Sequence, residues 1–180
     1  MIIMAKTKYT VELLKKFARF NLTKSTGWVV FYIVIELLLL GSVTSLVIYA
    51  SATDSFAELS FYIFSNLLIL LSSPATLIVL PSLFARSSHY LNGVVNTYLF
   101  TDSEVIVEST SPSMTEQARA NYELFERIFE TNDMFYLFIT KQQAFLVQKD
   151  DLVGGTALDL RNMIQKSAAS NRYIIRSAQR

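Results

Sequence analysis

The chain has 180 residues, of which 52% are hydrophobic and only 17% charged; with a mean hydropathy of +0.35 it is too apolar for an ordinary soluble domain, and part of it is expected in lipid. A formal net charge of +1 provides no global positive field to draw the protein onto nucleic acid, which is not expected as a partner. The lack of cysteine excludes disulfides, thiolate nucleophiles, Cys-ligated zinc and cysteine acylation, and the single histidine, His89, leaves any metal site to carboxylates alone.

The opening MIIMAKTKYT is apolar until Lys6 and Lys8 break it, with no small-residue cleavage site, so the first membrane helix is expected to remain as an uncleaved anchor. Thr10 can cap a helix with Glu12 in its first turn. Leu13, Phe17 and Phe20 then recur at helical spacing while Lys15, Lys16 and Arg19 occupy other faces. Residues 1–26 therefore read as a cytoplasmic amphipathic segment. Lys15, Lys16, Arg19 and Lys24, with Arg86 beyond the second apolar stretch, are the candidate membrane-surface basic residues that would meet anionic lipid.

Residues 27–50 are apolar apart from Glu36 and a few hydroxyls, and as a helix they cover about 36 Å, enough for a bilayer. Residues 59–84 form a second stretch without a charge, interrupted by Pro74 and Pro81. The eight residues between them can hold only a tight connection, so the spacing predicts an antiparallel transmembrane hairpin over 27–84. Lys and Arg precede the first span and follow the second, whereas the connection holds Asp54 and Glu58 and no base. Both termini should face the cytoplasm of a cell inner (plasma) membrane. Trp28, Phe31, Tyr32, Tyr49, Phe61, Tyr62, Phe84 and Tyr90 fall near the expected interfaces.

An acidic side chain inside a membrane helix costs roughly 2.5 to 3.5 kcal/mol and needs a partner or a proton. Counting inward from both ends puts Glu36 level with Ala75, beside Ser72, Ser73, Pro74 and Thr76, and sets Asn66 opposite Thr44 and Ser45. Glu36, Asn66, Ser72, Ser73 and Thr76 are thus the candidate intramembrane polar contacts. Their favoured reading is polar glue within the hairpin; the sharper one makes Glu36 a proton relay, a cation ligand or a contact to another subunit. Two helices enclose no pore, so transport would require an assembly.

Beyond Arg86 the pattern becomes alternating, β-branched and aromatic. Strands are predicted at about Val94–Phe100, Glu104–Glu108, Arg127–Thr131, Met134–Ile139 and Ala144–Val147, with a weaker one at Arg119–Tyr122. Thr101–Ser103, Thr131–Asp133 and Thr140–Gln142 supply polar turns for antiparallel hairpins. Gly154 and Gly155 break the chain, Thr156 caps, and Leu158, Leu160, Met163 and Ile164 give a helix to about Ala169 an apolar face. The fold class is thus a membrane α-helical hairpin plus an α+β cytoplasmic domain over 88–170, an antiparallel β-meander with a C-terminal helix. Ser87–Gly93 is the linker and 171–180 a basic tail. A bent sheet plugged by a terminal helix is the pleckstrin-homology-like architecture, an analogy of fold that carries no ligand with it.

The block Tyr98–Val107, followed by Tyr122–Ile139 and then Gln143–Leu152, resembles the YcxB-like family of bacterial membrane proteins. The resemblance extends from Tyr9 to about Gln165. It implies two membrane helices ahead of a cytoplasmic strand-then-helix domain, and no activity or catalytic residue to carry over. The chain departs from the family pattern at Gln148, where a proline often precedes the basic residue, and at Tyr122.

No enzymatic chemistry emerges from the residues. Gly154–Gly155 fits no phosphate-loop spacing, and Asp150–Asp151 and Glu123 with Glu126 lack a nucleophile or a metal set. His89 has no acidic companion and reads as an ordinary interfacial residue. Arg172, Arg176 and Arg180 would form a basic stripe if the tail were helical. The expectation is a non-enzymatic, cofactor-free membrane protein whose partners are membrane lipid and either another protein or a second copy of itself; the rival is a small accessory subunit of a transport or export assembly.

Overall fold

A computed structural model describes the backbone of residues 2–24, 26–53, 56–167 and 172–176, and within these every side chain but those of 26, 28, 29, 56, 58, 71–78 and 89. The chain divides into two compact units: residues 11–89, all helical in character, and a mixed unit made of residues 1–10 together with 90–180.

The helical unit holds α1 (Val11–Thr23), α2 (Thr26–Thr53) and α3 (Phe56–Ser87). Leu13, Leu14, Phe17 and Ala18 form the buried stripe of α1, and Phe17 meets Phe84 of α3 edge-to-face with centroids 6.1 Å apart. Both long helices extend into the predicted connection, which shrinks to positions 54 and 55, outside the described residues. One helix among the described residues, Val30–Thr53, is long and apolar enough to cross a membrane. The described apolar part of α3, Leu59–Leu70, is shorter, although α3 itself runs unbroken through Pro74 and Pro81.

The mixed unit begins with an element that the sequence does not announce. Ile3–Lys8 is a strand, β1, and residues 1–26, expected as one amphipathic segment, therefore belong to two units. Its inward residues are Ile3, Ala5 and Thr7, a set too small and polar to register as hydrophobic alternation. β1 lies between β2 (Val95–Phe100) and the two-residue β8 (Leu152–Val153), in a sheet ordered β4-β3-β2-β1-β8. Its ladder with β2 runs antiparallel from Ile3 against Phe100 to Lys8 against Val95.

The predicted meander is split over two sheets. β3 (Glu104–Thr110) and β4 (Thr115–Asn121) complete the first; β5 (Arg127–Glu130), β6 (Met134–Phe138) and β7 (Ala144–Gln148) form the second, ordered β7-β6-β5-β9. Hydroxyls close the turns: Thr101, Ser111, Thr131 and Thr140 each accept the backbone N–H two or three residues on. β4 is longer than expected and buries only Ala120, so its sequence TEQARAN has no alternation to read.

Gly154, at φ +84°, makes the turn into α4 (Ala157–Ser167). A Cβ there would also come within 3.2 Å of the Ile2 carbonyl oxygen. Thr156 and Asp159 cap the helix reciprocally: the Asp159 N–H donates to Thr156 Oγ1, and Asp159 Oδ2 accepts from the Thr156 N–H at 2.8 Å. Leu160, Met163 and Ile164 enter a core shared with Tyr98, Phe100 and Phe125, whereas Leu158, expected on that face, is exposed. The tail is no helix where it is described: Tyr173–Ile175 is β9, parallel to β5, and Arg180 lies outside the described residues.

Candidate functional site

Glu130 closes β5, a strand buried on both faces with Ile128 and Phe129 beside it. A carboxylate in such a place must be matched by donors. Three elements supply them. Lys149, just past β7, donates from Nζ to Oε1 at 2.6 Å. Arg161 of α4 reaches across with Nε to Oε2 and Nη2 to Oε1, each 2.7 Å, a side-on bidentate pair. The Tyr173 hydroxyl of β9 donates to Oε2 at 2.5 Å.

Burial works against the Glu130 charge, but the bonds from Arg161, Lys149 and Tyr173 outweigh it and hold the carboxyl down at about 2. The same contacts push Arg161 upward through its bond to Glu130, while burial first and Glu130 second raise Tyr173. Lys149 also lies 5.1 Å from the Phe135 ring centroid, and Arg176 lies 5.5 Å from that of Phe129. The arrangement is a charge-satisfied knot with no nucleophile in it. It can fix elements in register and present a cationic and aromatic rim.

A second polar network sits under β1. The Tyr9 and Tyr98 hydroxyls are 3.3 Å apart, Asn96 Nδ2 donates to Tyr98, and the Leu146 N–H donates to Tyr9. Thr7 donates to Asp151 at 2.7 Å and accepts the Gln148 N–H. Burial raises both tyrosines, Tyr98 well above its ordinary value. Asn96 Oδ1 is buried with no hydrogen-bond partner among the described residues.

In the helical unit, Asn66 is reached by Ser42, whose Oγ lies 3.2 Å from Oδ1, rather than by Thr44, which bonds back to Leu40 of its own helix. Carried six residues along both helices, the Ser42–Asn66 pairing brings Glu36 level with position 72. The side chains of Ser72, Ser73 and Thr76 lie outside the described residues. Glu36 Oε1 is buried and has no hydrogen-bond partner among those described. Of the basic residues, Lys16, Arg19 and Arg86 are exposed, and Lys15 and Lys24 half-buried. His89 lies in a short 3-10 turn, and its side chain is outside the described set. Asp151 serves as the acceptor for Thr7, and among the described residues no three of His, Asp or Glu gather as a metal site.

The sequence does carry a signal for Glu130. A strand reading Ile-Phe-Glu, apolar at consecutive positions, is buried on both faces, and an acid within it demands buried cations. Its partners, spaced 19, 31 and 43 residues away, are set by tertiary structure alone.

No curated protein and no solved structure matches the chain. A family model described as YcxB-like protein does match, over residues 100–164. That region starts at the last residue of β2, takes in Glu130, Lys149 and Arg161, and ends within α4, ahead of β9. From Phe100 to Ile164 the chain is thus a domain of the YcxB-like family.

Proposed function

We propose that the protein is a non-enzymatic, two-pass membrane protein of the plasma membrane, with both termini cytoplasmic. Its helical hairpin anchors a pleckstrin-homology-like module that binds a protein or lipid partner and regulates or scaffolds it. The observation that carries this reading is the β1–β2 ladder. Two strands on either side of the helical unit in sequence are hydrogen-bonded along six residue pairs, so a chain that leaves after β1 and crosses a bilayer at Val30–Thr53 has to return before β2. α3, 32 residues long, has the length to do so. The basic flanks favour a cytoplasmic face for both ends. Four antiparallel strands in the order β4-β3-β2-β1, three more in β7-β6-β5, and a helix packed into the shared core support the comparison with the pleckstrin-homology architecture.

The chain has no cysteine, which makes accessibility labelling direct. Ala52→Cys, near the end of α2, should react with an impermeant maleimide in intact cells, and Ser113→Cys, in the β3–β4 turn, only after permeabilisation. Equal labelling of both from outside, or of neither, contradicts the topology.

The second reading, an accessory subunit of a transport or export assembly, draws on Glu36, whose buried oxygen lacks a partner among the described residues. Glu36→Gln that inserts normally yet loses a hetero-oligomer in mild detergent would support it. Indistinguishable complexes from Glu36→Gln and the parent would eliminate it.

A further inference from the structure

β9 is held in an unusual way for a strand. It has three residues, pairs in parallel with β5 through Ile128–Tyr173, Phe129–Ile174 and Glu130–Ile175, and has no fully buried side chain; Ile175 is 54% exposed. Parallel ladders are also the weaker kind per residue. The strand it covers is the opposite, with Ile128, Phe129 and Glu130 all buried.

What fixes β9 is a set of side-chain anchors at its ends. The Arg172 guanidinium donates to the carbonyl oxygens of Glu123 and Phe125. Tyr173 donates to Glu130, the Arg176 N–H donates to the Glu130 carbonyl oxygen at 2.7 Å, and the Arg176 guanidinium faces Phe129. On the acceptor side, Glu130 is bonded independently by Lys149 and Arg161, from elements other than β9. These contacts can hold the receiving edge in place without β9. That edge offers an open backbone ladder, two carbonyl oxygens for a guanidinium, a carboxylate oxygen for a hydroxyl and an aromatic face for a second cation.

We propose that the outer edge of β5 is a strand-accepting site whose ligand is the segment Arg172–Arg176, seated here in its own chain and exchangeable with the same segment of a second copy. Exchange of one short element between identical chains is a low-cost route to a dimer. The proposal concerns the mixed unit alone and does not depend on membrane topology.

The test uses the chain truncated after Asn171, purified in mild detergent, with a labelled peptide of residues Arg172–Arg180 as the probe. The truncated chain should bind the peptide saturably, the parent at least about tenfold more weakly because its own strand competes, and Glu130→Gln in the truncated chain should weaken binding about tenfold. A tagged truncated chain should also retain the untagged parent. A truncated chain that unfolds cooperatively yet ignores the peptide overturns the site; peptide binding without retention of the parent overturns exchange between copies. If truncation abolishes folding, the full-length Tyr173→Phe/Arg176→Ala variant provides the reading. It should take up several-fold more peptide than the parent, and equal uptake overturns the proposal.

Discussion

Glu130 concentrates the electrostatics of the mixed unit in one side chain, because its two oxygens together accept from β9, from α4 and from the residue after β7. Removing its charge leaves Arg161 and Lys149 facing a neutral amide, the case in which breaking a buried pair is costly. Glu130→Gln should therefore lose about 3 kcal/mol in denaturant unfolding at pH 7. Its pH dependence has a definite sign. The folded value, about 2, lies below the ordinary 4.5, so the contribution is complete above about pH 4.5 and disappears as pH falls toward 2. That loss is on the order of 3 kcal/mol. The parent's unfolding midpoint should fall across this window, and the Gln variant's should fall less. Parallel curves for the two would place the acid sensitivity elsewhere.

Among the elements, those with a buried face and a polar turn are legible in the sequence, and those that lack either are not. β2, β5, β6 and β7 were expected within a residue or so of where they lie, because aromatic and β-branched residues face the core and a threonine closes each turn. The α4 start is equally legible, since Thr156 and Asp159 form a capping box in which Asp replaces the usual Glu. Thr156→Ala should cost about 1 kcal/mol by thermal or urea unfolding of the full chain, and no change would mean that Asp159 caps alone. β1 escapes a reading of the sequence because its core face is Ile3, Ala5 and Thr7; β9 escapes because three residues cannot display a period. The Ser42–Asn66 contact lies a few positions from the expected pairing because that pairing is counted from the outer ends of two apolar stretches of unequal length, whereas both helices extend equally into the connection and leave its midpoint unchanged. The Glu130 knot was missed for a different reason: each member is ordinary in its own segment, and only the packing of α4 and β9 against the second sheet makes them one site.

On the scale of the whole molecule, the sequence order and the structural units disagree. The mixed unit is assembled from residues on both sides of the helices, and its two ends are clasped at Tyr9, whose N–H donates to the Val94 carbonyl and whose carbonyl accepts the Gly93 N–H, both at 2.8 Å. Because those ends adjoin, replacing residues 11–89 by a short Gly/Ser linker should leave a unit that unfolds cooperatively without detergent. A fragment beginning at Ser88 should not, since it lacks β1 and leaves β2 and β8 with bare edges and the places of Ile3 and Ala5 empty. Circular dichroism and size-exclusion chromatography of the two distinguish these outcomes; equal behaviour would show that β1 is dispensable.

The central position of β1 also governs how the protein is made. Ile3 leaves the ribosome before its partner Phe100, which follows 97 positions later, a delay on the order of ten seconds at ordinary rates of synthesis. Throughout that interval β1 has no neighbour to pair with, and the mixed unit stays unformed while residues 11–89 are synthesised. In the two-pass topology proposed above, a chain whose helices fail to complete their return would strand β1 and β2 on opposite sides of the membrane, where they can never meet. Under that topology, completion of the sheet would serve as a proofreading step for insertion: only correctly threaded molecules would gain a folded domain, and the rest would present unpaired strands to cellular proteases.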